Sequence, residues 1–289
     1  MNMATEVNGK GGGNTPKTFV IANQKGGVGK TVTSMGLAQF LSKIGKVLAI
    51  DLDPQGHLTM ALGGDKYTQQ GAYEALTKKV NVGDTIQVLS ENLHVLPGTI
   101  NLSNFEREQI DAGLSYRLLE YVINPLVCNI GYDYIVIDTP PALGLLNTLA
   151  LTACKNGGII IPAFPESFSE DGIKELWQTI LTAKKYTNND LKVLGILLTN
   201  HNPQTTIGKI YKENYEELAN MMGTTLFNTY IRRSIKLTEA ASTASDIMEY
   251  QKEAPNLVED YINFVSELLD RAEGTMETEN NEKGVANNG

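Results

Sequence analysis

The segment KGGVGKT, Lys25–Thr31, constrains this chain more than any other feature, because it sits between an apolar run and a helical pattern. Thr18 to Ala22 (TFVIA) reads as a buried strand, and Thr31 to Lys43 reads as a helix with Met35, Leu37, Ala38 and Leu41 on its core side and Gly45 past its end. A glycine-rich turn in that position is built to hold phosphate. Gly26, Gly27 and Gly29 let backbone N–H groups curl inward around anionic oxygens, with Val28 between them and Val32 following in the helix. Lys30 supplies a point charge, Thr31 a hydroxyl for Mg²⁺, and the helix N-terminus completes the anion site.

The rest of the chain repeats the strand-then-helix rhythm. Val47–Ile50, Tyr134–Ile137, Gly158–Ile161 and Val193–Leu198 are short, wholly apolar runs, and Leu93–Leu96 adds another. Helical patterns occupy Leu145–Ala153, Asp171–Tyr186, Thr206–Met222 and Pro255 to about Ala272. Apolar strands alternating with helices predict an α/β fold: one P-loop NTPase domain, with a mainly parallel twisted sheet of about eight strands and helices on both faces. The expected organisation is a disordered segment over 1–16, one domain over 17–272, and an acidic disordered tail over 273–289 with four glutamates and one lysine.

Two carboxylate-bearing strand ends complete the phosphate chemistry. Asp51 and Asp53 follow the second strand in IDLDPQG, and Asp138 follows a later one in IVIDTPP. In a parallel sheet such ends lie beside the phosphate loop, where a carboxylate holds Mg²⁺ through water or orients an attacking water. Pro54, Gly56, Pro140 and Pro141 restrict the adjoining loops, which suits them to sensing a terminal phosphate.

Charge and cysteine content narrow the options. A net charge of −9 argues against a surface wrapped wholly in nucleic acid but allows a local basic patch. No run of about 18 apolar residues exists to span a membrane, and the first residues contain no signal-peptide core, so a cytoplasmic location is expected. Cys128 and Cys154 lie among apolar residues and read as reduced, buried and structural.

Four segments, NQKGGVGKT, AIDLDPQGHLTMALG, VIDTPPALGLLN and IRRSIKLTEA, resemble in order and spacing the ParA-type deviant Walker ATPases of DNA partition, relatives of the cell-division regulator MinD. The resemblance runs from about residue 18 to about residue 270 and implies ATP and Mg²⁺ as ligands. It implies that Lys25, unusual for a P-loop, reaches the partner subunit's nucleotide in an ATP-bound homodimer, while Lys30 serves its own subunit. By the same resemblance Thr31 and Asp138 are Mg²⁺ ligands, Asp51 supports their shell, and Asp53 positions the hydrolytic water. Asn200, at the end of the strand LGILLTN, is the expected adenine contact. Position 24 is Gln where the standard loop begins with Gly, and Arg232 stands where the family's usual motif has Pro, a departure beside the base pocket.

Within that family, a DNA-segregation branch is expected. Lys209, Lys212, Arg232, Arg233 and Lys236 are the candidate basic residues for sequence-independent DNA binding, with a centromere-binding ParB-type protein as partner and association with the nucleoid. About 16 residues ahead of the first strand leave no N-terminal helix-turn-helix for site-specific reading. A MinD-like membrane-cycling role is the alternative. The last helix argues against it: behind an apolar stripe of Leu257, Val258, Tyr261, Ile262, Val265, Leu268 and Leu269, the expected polar face carries Glu259, Asp260, Glu267 and Asp270, which anionic lipid repels. Neither a Cys-x-x-Cys metal motif nor an iron–sulfur ligand loop is present.

Overall fold

The computed structural model describes residues 15–108, 116–164 and 170–274; most of the two expected tails lies outside them. The five apolar runs that frame the phosphate loop all become strands of one sheet: β1 (Lys17–Ile21), β2 (Val47–Asp51), β5 (Tyr134–Asp138), β6 (Gly158–Ala163) and β7 (Val193–Leu198). With β3 (Gln87–Val88) and β4 (Leu93–Leu96), the order is β3-β4-β2-β5-β1-β6-β7, parallel throughout except for the β3 edge. The central strands are mostly apolar because helices cover both faces. Val20, Leu48, Ile50, Ile135 and Ile137 pack into one core, and Phe19, Ile21, Val47, Ala49 and Val136 into the other.

Seven strands form among the described residues, against the eight or so expected, and the chemistry shows why the count stops there. Residues 226–232 run beside β7 but make only two isolated bridges, Leu226 with Ile196 and Arg232 with His201. Between them the N–H groups of Asn228 and Thr229 donate to the Glu267 carboxylate, both at 2.8 Å, instead of to a strand.

The long helices follow the sequence patterns closely: α1 (Lys30–Leu41), α6 (Leu145–Ala153), α7 (Glu170–Tyr186), α8 (Thr206–Met221) and α10 (Pro255–Glu273). Unanticipated were the short helices α2 (His57–Ala61), α3 (Ala72–Leu76), α4 (Leu102–Glu108) and α5 (Asn124–Ile130), and α9 (Ile235–Thr243) within the basic segment. Cys154 is buried, and its thiol donates to the Thr18 carbonyl at 3.3 Å. Cys128 is exposed on α5, correcting its expected burial, because that short helix turns only Leu126 fully inward.

The last helix docks on the core through Leu257, Val258, Tyr261, Phe264, Val265 and Leu268. Ile262, expected on this stripe, is instead 49% exposed. Asp260 and Glu267 are also corrected: neither is on a solvated face, and both carboxylates are buried where they hold the 228–232 segment.

Gly36 on α1 faces α10 so closely that an added Cβ would lie 2.1 Å from Cε1 of the buried Tyr261 ring. The Tyr261 hydroxyl donates to the Val32 carbonyl at 2.9 Å, so the ring cannot simply swing away. Gly36→Ala is therefore expected to destabilise the fold. Overpacking of about 1–3 kcal/mol outweighs the roughly 1 kcal/mol that alanine gains in helix propensity. Urea unfolding checks this, and an unchanged or higher midpoint would contradict the close approach of α1 and α10.

Candidate nucleotide site

At the carboxyl ends of β1, β2, β5 and β7 the chain leaves a cleft of about 1090 Å³. Gly26, Gly27, Gly29, Lys30, Thr31 and Val32 line it, with Asp53, Pro54, Pro140 and Pro141 among the residues on the β2–β5 side. Asn200 and the segment from Ile231 to Ile235 line it on the β7 side. Val28 is buried beneath the loop and Lys25 is not among the lining residues.

The loop is held from below by three neighbours. Asn23 donates from Nδ2 to the Pro162 carbonyl at 2.7 Å, and its Oδ1 accepts from the Lys25 N–H at 3.0 Å. The Thr199 hydroxyl donates to the Val28 carbonyl at 2.9 Å. Gln24 donates to Glu175 of α7, which gives its non-glycine side chain a tether. Gly29 adopts φ +86 as the residue before α1, a left-handed conformation that a side chain would strain, and its missing Cβ leaves room for Thr199.

Lys30 is almost fully buried, and its Nζ donates to the Lys25 carbonyl at 2.9 Å. Burial lowers its pKa, while the Asp138 and Asp53 charges pull it back up. Asp138 accepts from the Thr31 hydroxyl at 2.9 Å and the Ser34 hydroxyl at 2.8 Å. Burial, followed by the Asp51 charge, pushes the Asp138 carboxyl up to about 7. A buried carboxylate beside two hydroxyls is a set of hard oxygen donors, and with Thr31, which lines the cleft, it suits Mg²⁺. A divalent cation there would favour the ionised form that burial opposes.

Asp51 is committed elsewhere. Its Oδ2 accepts from the N–H and hydroxyl of Thr59, both at 2.8 Å, and its Oδ1 accepts from the Asp53 N–H at 3.1 Å. Both of its oxygens therefore fasten the start of α2 and the 52–56 loop. Gly98 makes this possible, since a Cβ there would fall 2.7 Å from Asp51 Cγ. Asp53 lines the cleft, and its Oδ1 accepts from the Gln55 N–H at 2.9 Å.

The five basic candidates lie on neighbouring elements, but they are not equivalent. Lys209 and Arg233 are exposed. Lys212 pairs with Glu216 at 2.9 Å, and Lys236 with Glu253 at 2.7 Å and Glu239 at 3.0 Å. Arg232 is bound into α10 through Asp260 and Glu259. Sequence reading missed Asn23, Ser34, Thr59, Thr199 and Asp260. Ser34 was accessible in principle, one helical turn after Thr31 on the same face of α1.

A parallel sheet with a glycine-rich loop and an acidic, hydroxyl-lined cleft at its carboxyl edge defines a P-loop nucleotide-binding protein. The AAA domain family profile matches residues 16–193. The chain is 36% identical over 255 residues to the sporulation initiation inhibitor protein Soj of Bacillus subtilis (strain 168), covering 87% of this chain and 98% of Soj. It is 33% identical to the chromosome partitioning protein ParA of Myxococcus xanthus (strain DK1622), with 88% of each chain covered. A Mycobacterium smegmatis structure described as cobyrinic acid a,c-diamide synthase, with bound ATP analogue and magnesium, superposes with a TM-score of 0.69 at 29% identity, covering 83% of this chain and 97% of that one. A Borrelia burgdorferi B31 structure described as a plasmid partition protein bound to AMPPNP gives 0.68 at 27% identity, covering 86% and 98%. The chain belongs to the ParA/Soj family of P-loop partition ATPases.

Proposed function

We propose that this protein is a slow DNA-partition ATPase, acting on plasmid or chromosomal cargo, whose ATP-bound homodimer binds DNA without sequence preference. The observation that carries this reading is the different placement of the two loop lysines. Lys30 lines the cleft with Asp53 and feels the charge of the buried Asp138 behind it, whereas Lys25, half-buried, is not among the lining residues, which suits a role towards a second copy's nucleotide.

In this reading Gly26–Thr31 cradle the phosphates of ATP, and Lys30 neutralises charge between the β- and γ-phosphates. Thr31 and Asp138 hold Mg²⁺, which would supply charge neutralisation at the phosphates. Asp53 orients the attacking water from the β2 side, and Asn200 contacts the adenine from the β7 side. Lys25 makes ATP part of the dimer interface, and ADP lacks the γ-phosphate that completes the contact. Dimerisation doubles the basic surface, so an acidic protein can hold DNA only in its ATP state. Arg233 and Lys209 are the better-placed cations, since Arg232, Lys212 and Lys236 have acidic neighbours on their own subunit. A ParB-type centromere-binding partner stimulates hydrolysis and releases the dimer from the nucleoid.

Among the described residues no helix is long and apolar enough to cross a membrane, and the apolar face of α10 is buried in the core. The burial of that face favours DNA over a membrane-cycling role, because a lipid surface would need it exposed. Asp53→Ala is expected to keep ATP binding and dimerisation while slowing turnover by about 10²–10⁴-fold, the usual cost of losing a water-orienting base. Phosphate release alongside nucleotide titration checks this, and turnover at the parent rate would remove Asp53 from the water-positioning role.

A further inference from the structure

The departure at position 232 has a structural counterpart. The Arg232 N–H donates to Asp260 Oδ2 at 2.8 Å, and its Nε donates to Oδ1 and Oδ2 at 2.9 and 3.0 Å. Nη2 adds the Asn256 carbonyl at 3.0 Å and Glu259 at 3.1 Å. A proline, with neither N–H nor guanidinium, makes none of these bonds. Asp260 is 4% exposed, so this is a buried carboxylate gripped by a two-pronged cation and a backbone donor.

The grip matters because of what it fixes. The phosphate loop follows β1, Asp53 and Pro140 lie towards β2 and β5, and residues 231–235 lie beyond β7 on the opposite side. A nucleotide with its terminal phosphate near Asp53 therefore has its base against Asn200 and residues 231–235. That wall lacks a strand's full ladder. It is held by Ile231 N–H to the Leu198 carbonyl at 2.9 Å, by His201 N–H to the Ile231 carbonyl at 3.0 Å, and by Asp260. The next residue of α10, Tyr261, donates to the Val32 carbonyl in the first turn of α1. Consecutive residues of one helix thus hold the base-side wall and the helix that follows the phosphate loop.

We propose that Arg232 is a positioning residue: clamped on Asp260, it sets the distance between the base-side wall and the phosphate loop, and with it the affinity and base preference for the nucleoside. This rests on the reading of the cleft as a nucleotide site. It also withdraws Arg232 from the DNA-binding set, because contact with a DNA phosphate would require releasing Asp260.

Calorimetric titration of the full chain with Mg²⁺ and, separately, ATP, GTP and inorganic tripolyphosphate tests the proposal. Arg232→Ala is expected to weaken ATP binding about ten-fold, leave tripolyphosphate within about two-fold, and narrow the difference between ATP and GTP. Arg232→Ala and Arg232→Lys both keep the backbone donor, but the lysine restores a charge opposite Asp260 and should recover most of the ATP affinity; Asp260→Asn should behave like Arg232→Ala. Unchanged ATP affinity in Arg232→Ala overturns the proposal. So does an equal loss of ATP and tripolyphosphate, which signals general loosening, or a lysine variant no better than alanine. A parent protein that binds neither ATP nor tripolyphosphate overturns the site reading and this proposal together.

Discussion

Lys30→Ala is expected to weaken Mg-ATP binding by about 100-fold or more, since truncating a buried charge opposite its partner costs roughly 2–5 kcal/mol. Lys30 is 8% exposed, so water cannot replace its charge at the phosphates. It is also the cation felt by Asp138 and the one that ties the Lys25 carbonyl back to α1. The ligand-free fold should survive the change, because the buried Asp138 carboxyl can stay protonated near neutrality once its cation is gone. Fluorescent-nucleotide titration with a parallel thermal melt separates the two effects. Near-parent affinity in a folded Lys30→Ala protein would remove Lys30 from the phosphate site.

Lys25→Gln is expected to do the opposite: nucleotide affinity of the monomer within about three-fold of the parent, and no ATP-induced dimer. The contrast follows from the loop itself. Its backbone at position 25 is fixed by Asn23 Oδ1 and by Lys30 Nζ, and neither contact uses the Lys25 side chain. The substitution should leave those backbone contacts of the cradle intact and remove a charge that a second copy would meet between two sandwiched nucleotides, where water is partly excluded. Loss of the dimer should carry with it loss of DNA retention and of partner-stimulated hydrolysis. Stable ATP-dependent dimers of the Lys25→Gln protein would return Lys25 to the standing of a loop charge.

The parts of the fold legible in the sequence are those whose signal is local. Five apolar strands, the glycine turn and the carboxylates at strand ends each declare themselves within a few residues, and the family resemblance places them in order. The short helices between residues 57 and 130 were opaque for a physical reason, although the Leu93–Leu96 strand among them was readable. Helices of five residues, such as His57–Ala61 and Ala72–Leu76, are too short to show a helical period, and their stability comes from tertiary contacts. Asp51 shows the same limit at the site: its strand-end position was readable, but its commitment to Thr59 depends on Gly98, distant in sequence, passing close beside it. Asp260 and Glu267 read as polar positions of an amphipathic helix, and only the fold brings the 228–232 backbone to them. Basic residues were visible as charges, but not the acids that engage Arg232, Lys212 and Lys236.

The central claim is that ATP bound at the Gly26–Thr31 loop joins two copies of this chain. Light scattering after gel filtration of the parent protein, with Mg²⁺ and either a non-hydrolysable ATP analogue or ADP, tests it most directly. The account predicts a dimer mass with the analogue and a monomer mass with ADP; a monomer in both, at saturating nucleotide, would contradict it.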